Sequence, residues 1–296
     1  RVMDQETRID ADQAIEILAP ARQTAPVVFS SPHSGRQYSE DFLATTCLDE
    51  QAIRRSEDSF VDEIFARAPL YGAQLLKALF PRAFVDPNRE PYELDPTMFE
   101  EPLPGFINKR SPRVAAGLGT IARVVASGAE IYTGKLNFTE ARERIDRYYR
   151  PYHEALEDLV GTTQRIFNHC ILIDCHSMPS VGGPMENDAG RQRQVDFVLG
   201  DAHGRSCSRA LTVMVEETLR GMGYTVVRNA PYSGGFITRN YGRPAKGVHA
   251  LQIEINRGLY MHEPSYSRAP EMARIVEDMS RLTERFLGLE PQALAA

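Results

Sequence analysis

Along residues 249–256 apolar and polar positions alternate without a slip. Leu251, Ile253 and Ile255 fall on one side, and Gln252, Glu254 and Asn256 on the other. A period of two is the period of a β-strand. Glu254 therefore sits inside a strand-like segment, where a carboxylate is costly unless it has a partner. Three shorter apolar runs, Pro26–Ser30, Ala83–Val85 and Ile171–Ile173, are bounded by turn formers and read as buried strands. The first leads into Ser31-Pro32-His33-Ser34-Gly35 and the second into Asp86-Pro87-Asn88-Arg89-Glu90. The third ends abruptly in Asp174-Cys175-His176-Ser177. Open α/β sheets gather their ligands beyond the C-terminal ends of strands. Four strand-like runs that each deliver a His, Arg or Glu at or near an end describe one site assembled from distant sequence.

Between these runs the period changes to that of a helix. Ile53, Phe60, Val61 and Ile64 fall on one face of a helix predicted over Asp49–Arg67. Phe138–Phe167 reads as a long helix or a pair broken by Pro151. Cys207–Met222 reads as a helix closed by Gly223 and followed by a strand at Tyr224–Val227, and Glu271–Leu289 as a C-terminal helix. Strands alternating with long helices predict an α/β fold. No repeat, low-complexity tract or linker divides the chain, so residues 1–296 read as one domain. Pro91–Ile131 is rich in Pro, Gly and Arg, the composition of a binding loop or lid.

Composition narrows the function classes. A chain of 296 residues at 42% hydrophobic can bury a sizeable core. Its net charge of −6 gives no electrostatic case for nucleic acid or an acidic membrane surface. No apolar stretch approaches the roughly 18–20 residues that span a bilayer. The charged segment Arg1–Gln13 has no apolar signal core, and Cys47, Cys170, Cys175 and Cys207 form no C-x-x-C pair. The expectation is a cytoplasmic protein with reduced thiols and a small-molecule substrate.

His33 and His176 are the candidate metal ligands. A catalytic zinc needs a third protein ligand and an open position. Ser56-Glu57-Asp58 can supply that ligand in two ways. On a continuous helix Glu57 points into the apolar face; if a helix begins here, Asp58 becomes its cap and projects into the cleft. Asp174, two residues before His176, suits a carboxylate that orients a metal-bound imidazole from behind. His153 reads as a helix-surface residue, His169 precedes a strand, and His203 and His262 sit in loops. His249 is an outside candidate at the start of the Glu254 strand. Asn88 and Arg89 can hold a substrate carboxylate, since a guanidinium binds one bidentately. Arg82 lies on the other side of the same run. Ser233-Gly234-Gly235-Phe236-Ile237-Thr238-Arg239 is a Gly-hinged loop that can close Arg239 on a ligand.

These motifs resemble the N-formylglutamate amidohydrolases from Ser30 to about His262. Pro-His-Ser-Gly at 32–35, Ser-Glu-Asp at 56–58, Asp-Pro-Asn-Arg at 86–89 and Asp-Cys-His-Ser at 174–177 occur in the family's order. So do Gly-Asp-Ala-His-Gly at 200–204, Gly-Gly-Phe-Ile-Thr-Arg at 234–239 and Gln-Ile-Glu-Ile-Asn at 252–256. That family is distantly similar to the zinc carboxypeptidases and aspartoacylase. The likeness implies a three-layer α/β/α fold around a mixed sheet, of the phosphorylase/hydrolase-like class, with one zinc per chain. Asp-x-Asn-Arg is similar to aspartoacylase's substrate-carboxylate motif. The distant relatives carry a ligand Glu three residues after the first His, and here that position is Arg36. The family's usual motif favours Asp58 as third ligand. The implied reaction is hydrolysis of an N-formyl amino acid to formate and, by resemblance, glutamate. His33, Asp58 and His176 would hold zinc, Glu254 would be the general base and Arg82 would help the oxyanion. Alternatives are a zinc amidase or carboxypeptidase on another N-acyl amino acid or short peptide, and a metal- or anion-binding protein without turnover.

Overall fold

A computed structural model describes residues 13–181 and 195–295; the charged start of the chain lies largely outside them. Seven strands form one sheet: β1 Ile15–Leu18, β2 Val27–Ser31, β3 Gln74–Ala78, β4 Cys170–Met178, β5 Phe197–Gly200, β6 Val226–Arg228 and β7 Val248–Asn256. Their spatial order is β1-β3-β2-β4-β7-β5-β6. β1 against β3 and β5 against β7 are antiparallel and the other pairs parallel. The sheet is mixed, as expected.

Alternation along the central strands assigns the layers. Ile171, Ile173 and Cys175 on β4, with Leu251, Ile253 and Ile255 on β7, enter one core with Leu211, Val215, Ile275, Met279 and Phe286. Those partners lie on helices Arg209–Gly221 and Met272–Leu287. Leu172 and Ala250 point the other way, into a core with Tyr152, Leu156 and Leu159 of helix Arg150–Phe167. This is the three-layer α/β/α arrangement. Two residues on from Leu172 and Ala250, the second face turns polar. Asp174 stands beside Gln252 and His176 beside Glu254 in the parallel register. The apolar half of that face carries the helix, and the polar half is left for chemistry.

Five expectations need correction, the last of them the place of Arg239. Ala83–Val85 is a buried turn, not a strand: the amides of Phe84 and Val85 both reach the Pro81 carbonyl. Two of the run's three amides are thus spent inside the turn, and Gln74–Ala78 is the strand instead. The Asp49–Arg67 helix is broken into Glu50–Ile53, a tight turn at Arg54–Ser56, and Val61–Ile64. Its apolar residues are buried as expected, but Ile53 serves a different cluster from Phe60, Val61 and Ile64, and Phe60 takes a left-handed φ of 67° to redirect the chain. Strand β4 does not stop at Asp174 but carries His176 within it. Pro151 breaks nothing: helix Phe138–Arg144 passes through a π turn at Ile145–Tyr149 into Arg150–Phe167. The missing proline N–H falls where the hydrogen-bond ladder is already changing register.

The other elements match within a few residues. Ser208 caps the helix that Gly223, at φ +93°, follows. The 91–131 region is largely loop, with short helical turns at Pro96–Met98 and Pro112–Ala115. Arg239 lies not in the Gly-Gly loop but in the short helix Phe236–Tyr241 that the loop opens.

Candidate active site

The C-terminal ends of adjacent β2 and β4 bring His33 and His176 together, with ring centroids 4.8 Å apart and planes at 65°. Asp58 joins them from the break in the 50–64 segment, its amide donating to the His33 carbonyl at 2.9 Å. Asp58 Oδ2 lies 3.1 Å from His176 Nδ1 and 3.5 Å from His33 Nδ1. All three residues are buried, and one donor atom from each lies within 4.8 Å of the others.

The far nitrogen of each ring meets a second carboxylate. His33 Nε2 is 2.7 Å from Asp86 Oδ1, and His176 Nε2 is 2.9 Å from Asp174 Oδ2. A carboxylate there holds the ring proton on Nε2 and leaves the Nδ1 lone pair to face inward. His33 Nδ1 is buried with no hydrogen-bond partner. An orphaned nitrogen facing a carboxylate oxygen and a second imidazole fits a divalent ion. Tetrahedral N and O donors at zinc distances stand roughly 3.3 Å apart. Asp58 Oδ1 accepts from Arg257 Nη2 at 3.0 Å, and Arg257 Nε donates to Ser177 Oγ at 3.1 Å. Only Oδ2 of Asp58 remains open to the centre.

Glu57 faces away. Its carboxylate accepts from Arg54 Nε and Nη2, both at 2.9 Å, from Ser59 Oγ at 2.7 Å and from Tyr38 at 3.1 Å. A continuous helix would have set Glu57 toward the core, and the break at Ser56 turns Asp58 in its place.

Burial acts on every charge here, and partners decide the outcome. Burial pushes the Asp58 carboxyl up, but the neighbouring His176, His33 and Arg257 hold it well below the usual range. Asp86 is likewise held low against burial by the charges of His33, Arg89 and Arg82. Burial disfavours the His176 imidazolium, yet Asp174 and then Asp58 raise it well above normal. Glu254 has weaker support: Gln252 Nε2 donates to it at 2.9 Å, and burial pushes it up to about 8.

His33, Asp58, Arg82, Asn88, Arg89, His176, Arg239 and Glu254 all line one cavity of about 840 Å³. Asp174 lies behind it. Asn88 is fixed by its Oδ1, which accepts the Ile237 amide at 2.8 Å. A Cβ on Gly235 would strike that Asn88 amide at 2.4 Å, so glycine is required there. Arg89 is buried, with Nε on Leu118 O at 2.7 Å and Nη1 on Asn88 O at 2.8 Å. Arg82 Nη2 contacts Asp86 Oδ2 at 3.0 Å.

Two histidines are elsewhere engaged. His249 Nδ1 accepts the Ser208 amide, a structural role at a helix start. His153 is not a surface residue but lies half-buried between Tyr149 and Tyr241. Sequence reasoning gave no role to Asp86, Gln252 or Arg257. Asp86 opened a motif already singled out, and Gln252 continued the β7 alternation; Arg257, one residue past that strand, gave no signal.

The geometry agrees with three comparisons. Residues 25–261 match the family model for N-formylglutamate amidohydrolase. The chain is 30% identical over 251 residues to an N-formylglutamate deformylase of Pseudomonas aeruginosa, covering 84% of this chain and 86% of that protein. It is 29% identical over 278 residues to that of Pseudomonas putida, covering 92% of each. The crystal structure of N-formylglutamate amidohydrolase from Ralstonia eutropha JMP134 superposes with a TM-score of 0.84 at 36% identity, covering 93% of this chain and 97% of that one. A matching family model over most of the chain, and a fold that gathers the same motifs around one cavity, make this chain a member of the N-formylglutamate amidohydrolase family.

Proposed function

We propose that the protein hydrolyses N-formyl-L-glutamate to formate and L-glutamate with one zinc ion held by His33, Asp58 and His176. The observation that carries this reading is the convergence of His33 Nδ1, His176 Nδ1 and Asp58 Oδ2 beside Glu254 in one cavity. The names of the two Pseudomonas relatives and the Ralstonia structure supply the substrate. A zinc ion bound there would supply Lewis acidity, lowering the pKa of a water and stabilising oxyanion charge.

The chain's own residues do the rest. Glu254 takes a proton from the attacking water and returns it to the leaving amine. Burial raises its affinity for that proton, which suits a group that must also act as an acid. Arg82 lies close enough for its charge to act on Glu254, and it adds positive potential for the oxyanion. Asn88 and Arg89 hold the substrate α-carboxylate, and Asp174 and Asp86 orient the two imidazoles. Arg113, Arg239 and Arg243 line the same cavity and form no ion pair with a carboxylate among the described residues. That surplus of positive charge supports a dicarboxylate substrate over a neutral N-formyl amino acid, with Arg239 facing the second carboxylate.

We read the reaction as cytoplasmic, supported by four free cysteines, and the chain as a single domain, supported by one sheet shared by most of its length. The test is a panel of N-formyl and N-acetyl amino acids assayed before and after chelation. Formate release from N-formyl-L-glutamate, lost on chelation and restored by zinc, is expected. Preference for an N-acetyl substrate would move the reading to another amidase, and full activity after exhaustive chelation would overturn the metal.

A further inference from the structure

The segment 84–89 carries Asp86, which braces His33, and Asn88 and Arg89, the substrate clamp of the proposed function. Its backbone carbonyls hang from one helical rod. Arg144 Nη1 donates to Phe84 O at 3.2 Å, with its guanidinium 4.2 Å over the Phe84 ring. The His153 Nε2–H donates to Pro87 O at 2.7 Å, and the Tyr149 hydroxyl donates to Arg89 O at 2.7 Å. A carbonyl can only accept, so the His153 proton sits on Nε2, and Nδ1 accepts from the Tyr241 hydroxyl at 2.9 Å. Burial lowers the His153 pKa, consistent with that neutral ring.

The helix is built for this grip. In an unbroken α-helix Arg144 would share its face with Tyr148 and Tyr152. The π turn at Ile145–Tyr149 closes hydrogen bonds five residues apart, which sets Tyr149 above Arg144; His153 follows one α-turn later. The register shift thus aligns the three donors that the segment accepts. Simple satisfaction of buried carbonyls would not require a change of helix type.

We propose that Tyr149 and His153 are positioning residues that set the Asn88–Arg89 clamp through its backbone. This rests on the reading that Arg89 holds the substrate carboxylate. The test uses the full chain with its metal. Tyr149→Phe should raise KM for N-formyl-L-glutamate roughly three- to tenfold, the worth of one hydrogen bond, with kcat within about twofold. His153→Phe should do the same, and His153→Gln, whose amide can donate to Pro87 O, should recover most of the loss. In an Arg89→Ala background the Tyr149→Phe effect should vanish. An unchanged KM, or an equal factor in both backgrounds, would overturn the proposal.

A second readout is independent of turnover. The Asp86 and Asn88 amides, bonded to Thr120 O and Asp86 Oδ1, should exchange with solvent several-fold faster in Tyr149→Phe and His153→Phe. Unchanged exchange there would also overturn it. If the unsubstituted protein hydrolyses no N-formyl amino acid, the proposed function fails, and the exchange rates alone decide the grip.

Discussion

Asp58 and Glu254 are both buried carboxylates in one cavity, at 2% and 7% exposure, and their surroundings drive them in opposite directions. Asp58 comes from a loop that two histidines and Arg257 contact, and it stays charged. Glu254 comes from the middle of β7 with a neutral amide as its hydrogen-bond partner, and its proton is held up to about 8. Burial raises both. What differs is the number of positive or proton-donating partners, and that difference separates a permanent anion from a group that can gain and lose a proton.

The largest effect that can break this comparison is loss of the anion's partners. His176→Ala should abolish both metal binding and activity while the protein stays folded, read by metal analysis and circular dichroism. Activity that survives without metal would remove Asp58 from its role as well. Next, Glu254→Gln should keep the metal and lower kcat roughly 10²–10⁴-fold, the usual worth of a general base. A loss of only a few-fold would leave Glu254 structural.

A smaller effect concerns the clamp. Converting the substrate α-carboxylate to an amide should cost the parent roughly ten- to a hundredfold in kcat/KM, since a charged hydrogen bond contributes about 1.5–3 kcal/mol. The same change should cost Arg89→Ala much less. Equal penalties would transfer the carboxylate to another cation, Arg239 first.

The smallest effect sharpens the comparison without activity. In the metal-free protein the Glu254 pKa is raised from 4.5 to about 8. A raised pKa contributes stability that is complete below the unfolded value and is lost as pH rises through the folded one. His176 adds a loss of the same sign, but only above 6.5. Asp62, whose carboxyl burial also raises from 3.8, adds a fall of the same sign. Melting temperature should therefore fall between pH 4.5 and 6.5, and Glu254→Gln should make that fall shallower. An unchanged slope in the variant would mean the carboxylate is better partnered than its neighbours indicate.

How much of this was legible in the chain depends on how local each cause is. β7 was plain because alternation from Leu251 to Asn256 writes its two faces directly into the sequence. The helices over Arg209–Gly221 and Met272–Leu287 were plain for the same reason, with a serine cap on the first. Strands β1, β3 and β5 are only four or five residues long and left no pattern that separates a strand from a buried turn. Ala83–Val85 is the converse, apolar enough for a strand but held as a turn.

The sequence by itself determined the α/β class, the residue types of the site, and the motif order that identifies the family. Those depend on side-chain period and identity, which each segment carries alone. Tertiary structure turned Asp58 rather than Glu57 toward the two histidines, because that depends on where a helix breaks so that Ile53 and Phe60 can enter different cores. It also supplied Asp86 behind His33 and Arg257 on Asp58, contacts that span 53 and 199 residues of chain. No local pattern encodes such pairs, since they form only when strand order and loop path bring distant charges into one dry volume where each needs the other.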